Sequence, residues 1–292
     1  MYHFTFVILH YLVKEDTIEC IESILSNIDY LNYNIIVVDN CSPNGSGIEL
    51  KEKYSMNAKV KIILNGENEG FARGNNIGYK LGKYEYNSDF IMVVNNDTVI
   101  KQRAFINKVI NEYETFGFDI LGPDIISLKD NNHQNPVGNS VITKEQLYKI
   151  INVYKRLLIL NYIGVEGPLR KIMQKKIKKR QLDLIGNNDH ENIQYNVQLH
   201  GSCLIFSKGY IERFEGFFDK TFMYMEEDIL YYLANRDGLK TMYSPNVVIY
   251  HKEDSSTDAT YSKNKKKRRF KYKNVIQSAE QFLKLMNGEI RY

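Results

Sequence analysis

The sequence predicts an α/β protein on a mostly parallel central sheet with helices on both faces, and three observations predict it. Apolar runs rich in β-branched residues alternate with stretches of helical period through the first 125 residues, as parallel strands joined by crossover helices do. Two of these runs end abruptly in polar residues, Asp39-Asn40 and Asn95-Asn96-Asp97, where open parallel sheets carry their ligands. The chain has 292 residues, 43% of them hydrophobic, enough for one large domain with an ordinary core.

Strands are expected at Phe4–Leu9, Asn34–Asp39, Val60–Leu64, Phe90–Val94 and Ile120–Leu121. The apolar start, Met1 to His10, is short and has neither a basic leader nor a small-residue cleavage site, so it reads as the first strand. Helices are expected at Thr17–Leu25, with Ile18, Ile21, Ile24 and Leu25 on one face, then at Ala72–Leu81 and Ala104–Tyr113. Together these make a nucleotide-binding half, residues 1–125.

Residues 126–190 differ: a polar, turn-prone start gives way to a basic amphipathic stretch from Lys144 to Arg180, expected as a helical insertion. Residues 191–262 form the second half of the domain, with a strand at Val197–Ser207, a helix at Glu226–Asn235 and strands at Thr241–Tyr243 and Val247–Tyr250. Residues 263–292 add a basic run, Lys263 to Lys273, and a last amphipathic helix with Val275, Ile276, Phe282, Leu283 and Met286.

The net charge of +4 conceals an asymmetry, because the two basic stretches carry +9 and +8 and leave −13 on the rest of the chain. Such local charge suits an anionic partner. Basic segments interspersed with Leu, Ile and Tyr suit an anionic membrane surface, although packing on the acidic body of the same chain explains them nearly as well. No recognisable nucleic-acid-binding motif accompanies the charge, so nucleic acid is not expected. No run of eighteen apolar residues occurs, so membrane contact is expected to be peripheral. Cys20, Cys41 and Cys203 are odd in number and lack metal-site spacing, which fits a reducing, cytoplasmic setting.

Four segments carry candidate chemistry. Asn95-Asn96-Asp97-Thr98 closes a buried strand, and a carboxylate there suits Mg²⁺ or Mn²⁺ completed by substrate phosphates; alone it is equally a turn with a helix cap. The glycine-rich Gly70-Phe-Ala-Arg73-Gly74-Asn75-Asn76 opens a helix, so backbone amides and Arg73 would favour a phosphate, although tight packing also explains it. Glu226-Glu227-Asp228 begins another helix, where the dipole alone favours acids, but crowded carboxylates also suit a general base. His251 ends a strand and would complete a metal site only if it folded back beside Asp97.

Taken in order, Val37-Val38-Asp39-Asn40-Cys41-Ser42, Asn68-Glu69-Gly70-Phe71-Ala72-Arg73-Gly74-Asn75-Asn76, Asn95-Asn96-Asp97, His200-Gly201-Ser202, Met225-Glu226-Glu227-Asp228 and His251 resemble the family 2 inverting glycosyltransferases of the GT-A fold. The resemblance is strongest to the branch with bacterial rhamnosyltransferases and capsule or O-antigen enzymes, and it runs from Phe4 to about Ser256. It implies a nucleotide-diphospho-sugar donor contacted by His10, Tyr11, Asp39, Asn40, Arg73, Asn76, Asn95 and Asn96, and a Mn²⁺ or Mg²⁺ ion held by Asp97 and His251. The D-x-D motif of the fold falls on Asn95-Asn96-Asp97, where only the last carboxylate remains.

The resemblance also implies Glu227 as catalytic base and Glu226 on acceptor hydroxyls, with Asp228 the base in a register shifted by one. The acceptor would be a glycan or lipid-linked glycan, on the inner face of the plasma membrane, and a homodimer stays open. A sugar-nucleotide nucleotidyltransferase would carry a glycine-rich, lysine-bearing loop after the first strand, whereas His10 to Asp16 contains no glycine. A non-catalytic nucleotide- or glycan-binding module would keep Asp39 and Arg73 and need neither Asp97 nor Glu227.

Overall fold

The computed structural model describes residues 1–166, 189–253 and 264–292. In chain order the described elements are β1 (Phe4–His10), α1 (Lys14–Asn27), β2 (Tyr33–Asp39), α2 (Ser46–Lys53), β3 (Val60–Leu64), α3 (Gly70–Tyr84), β4 (Phe90–Asn95), β5 (Thr98–Val99), α4 (Phe105–Phe116) and β6 (Ile120–Ser127). There follow α5 (Lys144–Ile163), β7 (Gln194–Tyr195), β8 (Cys203–Ser207), α6 (Lys208–Arg213), α7 (Glu226–Arg236), β9 (Thr241–His251) and α8 (Asn264–Met286).

Among the described residues the strands form one sheet, in the order β3-β2-β1-β4-β8-β6-β9-β5, with β7 paired to β9. The first four strands lie within one residue of their expected bounds and run parallel. Their register sets His10 beside Asp39 and Leu9 beside Asn95, so the polar ends foreseen in the sequence share one edge of the sheet. β8 then inserts antiparallel against β4 and β6, and Asn95 donates its backbone N–H to Ser202 O at 2.9 Å. The second half of the chain is thereby joined to that edge.

Alternating side chains of the strands fill two cores. Phe4, Phe6 and Ile8 pack with Ile21, Ile24, Phe105 and Val109 on one face, while Val7, Ile91 and Val93 pack with Ala72, Tyr79 and Phe206 on the other. This period-two division is what strands buried on both faces require. A third cluster joins Leu147 and Ile151 of α5, Ile229 and Leu233 of α7, and Ile276, Ala279 and Phe282 of α8. Each large side chain buried there contributes about 2 kcal/mol, so the two basic helices are built into the fold.

Several elements differ from expectation. Residues 197–202 leave the strand expected at Val197–Ser207 and cross the sheet edge as a loop. The strands expected at Thr241–Tyr243 and Val247–Tyr250 are one strand, β9, with a register shift against β6 at Pro123/Asp124. The basic run from residue 265 onward is the start of α8 itself rather than a lead-in to it. In the basic insertion, Lys144 to Ile163 is helical and opens with a capping box between Thr143 and Gln146; residues 167–188 lie outside the described residues, as does Lys263. α2, β5, β7 and α6 had no sequence expectation.

Candidate active site

A cavity of about 540 Å³ opens beyond the carboxyl ends of β1 and β4, lined on one side by Asn95, Asn96, Asp97 and His251 and on the other by Glu226 and Glu227. The volume suits a small-molecule ligand. The 154 residues between Asp97 and His251 are spanned by the pairing of β5 with β9, which sets Thr98 against His251. His251 Nε2 consequently lies 3.2 Å from Asp97 Oδ1.

The tautomer of that histidine follows from its second contact. His251 Nδ1 is 2.8 Å from Gln134 Oε1, and the amide of Gln134 is oriented by donation from its Nε2 to Glu253 Oε1 at 2.7 Å. Nδ1 therefore carries a proton, and in the neutral ring Nε2 turns a lone pair toward the Asp97 carboxylate. Two acceptors at that distance call for a proton or a cation between them, so the donor set fits a divalent ion. Among the described residues no group of three or more His, Cys, Asp and Glu could hold a metal, so an ion bound by Asp97 and His251 would need water or substrate oxygens as well.

The opposite wall is the turn into α7. Tyr224 and Met225 have φ of 74° and 69°, a left-handed pair without glycine that costs on the order of 1 kcal/mol per residue. Helix α8 supports this turn: Ser278 Oγ donates to Met223 O at 2.9 Å, Phe270 meets the ring of Phe222, and Lys271 lies over Tyr224. Gly70, at φ 77°, brings the glycine-rich loop against the same turn, because a Cβ there would lie 2.1 Å from Phe222 O.

Beyond the turn the three acids separate. Glu227 accepts the Gly201 N–H at 2.5 Å and lines the cavity. Glu226 also lines it, with Oε1 buried and without a hydrogen-bond partner; burial pushes its carboxyl up to about 8, helped by the charges of Glu227 and Asp228. Asp228 faces away, accepting from Gln198 Nε2 at 3.2 Å, and burial raises it to about 6. The shifted register that would make Asp228 the base thus puts that carboxylate outside the cavity lining.

The residues expected at the nucleotide divide likewise. Tyr11, Asn40, Asn95 and Asn96 line the cavity. His10 does not: it is fully buried, between Thr17 Oγ1 at 2.7 Å and Ser46 Oγ at 2.8 Å, and it links α1 to α2. Burial lowers its pKa, against the pull of Asp39. Asn76 is also internal, donating to Phe217 O at 2.8 Å and accepting from Phe217 N at 2.7 Å. Asp39 is buried beside Gly47, and Arg73 is half exposed, paired with Glu69 one turn back at 2.9 Å.

Asn40 lines the cavity but commits its amide to the loop, donating to Asn68 Oδ1 and Gly70 O and accepting from Glu69 N. The lining residues without an assigned role from sequence include His200 and Phe270. His200 Nδ1 accepts the Ser202 backbone N–H at 3.2 Å, which leaves the proton of the neutral ring on Nε2. Burial lowers its pKa, against the pull of Glu227. The His200-Gly201-Ser202 motif was the available signal; Phe270 had none, lying within a run of lysines and arginines.

The mixed sheet, with an acidic cavity beyond its parallel strand ends, defines an α/β protein of the GT-A type. The chain belongs to glycosyl transferase family 2, whose pattern matches residues 5–181. It is 25% identical over 233 residues to the low-salt glycan biosynthesis hexosyltransferase Agl10 of Haloferax volcanii, spanning 80% of this chain and 62% of that protein. It is 29% identical over 133 residues to the dTDP-rhamnosyl transferase RfbF of Shigella flexneri, spanning 46% of this chain and 42% of that one. The crystal structure of S. aureus TarS 1–349 in complex with UDP shares the fold, with a TM-score of 0.55 at 12% identity over 96% of this chain and 69% of that one.

Proposed function

We propose that this protein is an inverting glycosyltransferase that moves a hexosyl group from a nucleoside diphosphate, dTDP-rhamnose or a UDP-hexose, onto a hydroxyl of a glycan or lipid-linked glycan. The observation that carries this is the convergence on one cavity of the Asp97–His251 pair and of Glu227 held by Gly201 N–H. Glu227 takes the proton of the acceptor hydroxyl; its oxygen attacks the anomeric carbon as the bond to the diphosphate breaks, and the bonding pair leaves with the phosphate oxygen. Attack opposite the leaving group inverts the anomeric centre.

Asp97 and His251 would hold Mn²⁺ or Mg²⁺, which supplies charge neutralisation at the departing diphosphate. Glu226, protonated at neutral pH by its burial, donates a hydrogen bond into the acceptor side. His200, whose Nδ1 accepts the Ser202 N–H, offers Nε2 to the cavity. Among the described residues no helix is long and apolar enough to cross a membrane, which is consistent with peripheral attachment at the inner face of the plasma membrane.

The test is the melting temperature of the protein with UDP, dTDP, GDP and CDP, each with and without Mn²⁺, because a ligand of the folded state raises it. A metal-dependent shift with one nucleotide, lost in Asp97→Ala, supports the reading and names the donor class. No shift with any nucleotide overturns the donor site.

A further inference from the structure

The end of α5 and the residue after its cap expose four apolar side chains that the cores do not use. Ile159, Tyr162, Ile163 and Val165 are 61%, 51%, 65% and 52% exposed, whereas Leu147, Ile151 and Leu157 form the buried face of the helix. Residues three and four apart share a helix face, so Ile159, Tyr162 and Ile163 make one surface. Val165 extends it past Gly164, which ends the helix in the left-handed conformation.

The rim of this surface is cationic. Arg156 lies one turn before Ile159 and is exposed. The start of α8 abuts the same end of α5: Asn161 Nδ2 donates to Lys265 O at 3.4 Å, and the Arg269 guanidinium sits 3.9 Å from the centre of the Tyr162 ring. Lys265 and Lys266 are exposed beside it. Two acids of this layer are already paired. Glu166 is 4% exposed and bound by Arg268 Nε, Tyr272 OH and Asn161 Nδ2 at 2.8, 2.5 and 2.6 Å, and Glu280 pairs with Lys155 at 2.8 Å.

We propose that the junction of α5 and α8 is a docking surface for an anionic lipid bilayer, with Ile159, Tyr162, Ile163 and Val165 entering the headgroup boundary and Arg156, Lys265 and Lys266 on lipid phosphates. An apolar centre with a cationic rim is the chemistry of an interfacial helix. A second copy of the chain fits less well, because two such faces would oppose like charges. The inference rests on the acceptor half of the proposed function and deepens it. Five residues after Lys265, about 7 Å along α8, Phe270 lines the catalytic cavity, so an acceptor carried by a lipid enters beside the wall that this helix supplies.

The experiment is co-sedimentation of the full chain with vesicles of phosphatidylcholine alone or enriched in phosphatidylglycerol, with melting temperature and turnover of a water-soluble acceptor measured in parallel. Binding is expected only to the anionic vesicles and should weaken with added salt. It should fall about fivefold for each of Arg156→Ala, Lys265→Ala and Lys266→Ala, and be lost in Ile159→Asp/Ile163→Asp at unchanged melting temperature and unchanged soluble turnover. Equal binding to neutral vesicles, wild-type binding by the double variant, or no vesicle binding overturns the proposal, as does a dimer that the double variant dissociates. If the transferase reading fails instead, no nucleotide sugar is turned over by any variant while the vesicle results stand.

Discussion

The carboxylate of Glu227 and the backbone N–H of Gly201 are hydrogen-bonded across 26 residues of sequence, and a Cβ at Gly201 would lie 2.9 Å from Glu227 Oε1. The crossing loop therefore aims the carboxylate. Glu227→Gln should lower kcat by about 10²- to 10⁴-fold, the range of general-base contributions, with nucleotide binding unchanged by calorimetry. Gly201→Ala should lower kcat through displacement of the same side chain; a Gly201→Ala enzyme with full kcat would show that this contact is not needed.

Asp97 and His251 face each other with a lone pair between them, so a cation should bind them before any donor does. In protein without nucleotide, Mn²⁺ should raise the melting temperature, and Asp97→Asn and His251→Ala should each abolish the rise. Replacing Gln134, which fixes the tautomer of His251, should weaken metal affinity by about 10- to 100-fold, as loss of such supporting contacts does. Metal titration followed by manganese paramagnetic resonance reads this directly.

Glu226 should make stability depend on pH. Its folded pKa is raised by burial from 4.5 to about 8, so between those values the folded state holds a proton that the unfolded chain has released. Stability must then fall as pH rises through that window. Glu226→Gln removes this contribution, and its melting temperature should gain on the wild type steadily from pH 5 to pH 8 and level off above. A constant difference across the range would contradict the shift.

Asn76 and Arg73 sit one turn apart on α3 and should behave oppositely. Asn76→Ala strands the buried N–H and C=O of Phe217, which costs about 2 to 6 kcal/mol in urea unfolding at about 1 to 3 kcal/mol for each orphaned group. Arg73→Ala, with its side chain half exposed and in a surface ion pair, should change stability by less than about 0.5 kcal/mol. If Arg73 meets the diphosphate, its loss should instead weaken nucleotide binding about tenfold or more.

How far the sequence reached can be judged from these same residues. β1 to β4 were legible because buried parallel strands are uniformly apolar and end in a change of polarity, as at Asp39 and Asn95. α2 was not, since its eight residues include Gly47, present because a Cβ there would lie 2.2 Å from Asp39 Oδ2. The division of residues 197–207 into loop and strand was hidden because Val197 and Leu199 are as buried as Leu204 and Ile205. The pattern of burial continues where the pairing stops.

The site shows the same limit. Asp97, His251, Glu226 and Glu227 stand on one cavity, as their order along the chain suggested. His10 and Asn76 are framework residues, and their partners, Ser46 and Phe217, lie 36 and 141 residues away. A polar residue next to a ligand loop and a polar residue beneath it look identical until those partners are placed. Phe270 joined the cavity wall through the docking of α8, a tertiary event with no local pattern.

The antiparallel pairing of β4 with β8 runs from Phe90 against Ser207 to Val94 against Cys203. This pairing, with the Asn95 N–H donated to Ser202 O, joins the strand ends beneath the cavity into one sheet. Admission of substrate and escape of product then fall to the rim, where Met223 O accepts from Ser278 Oγ and Tyr224 lies under Lys271. An engineer wishing to change the turnover cycle would alter that turn, or the helix that braces it, and leave the sheet alone.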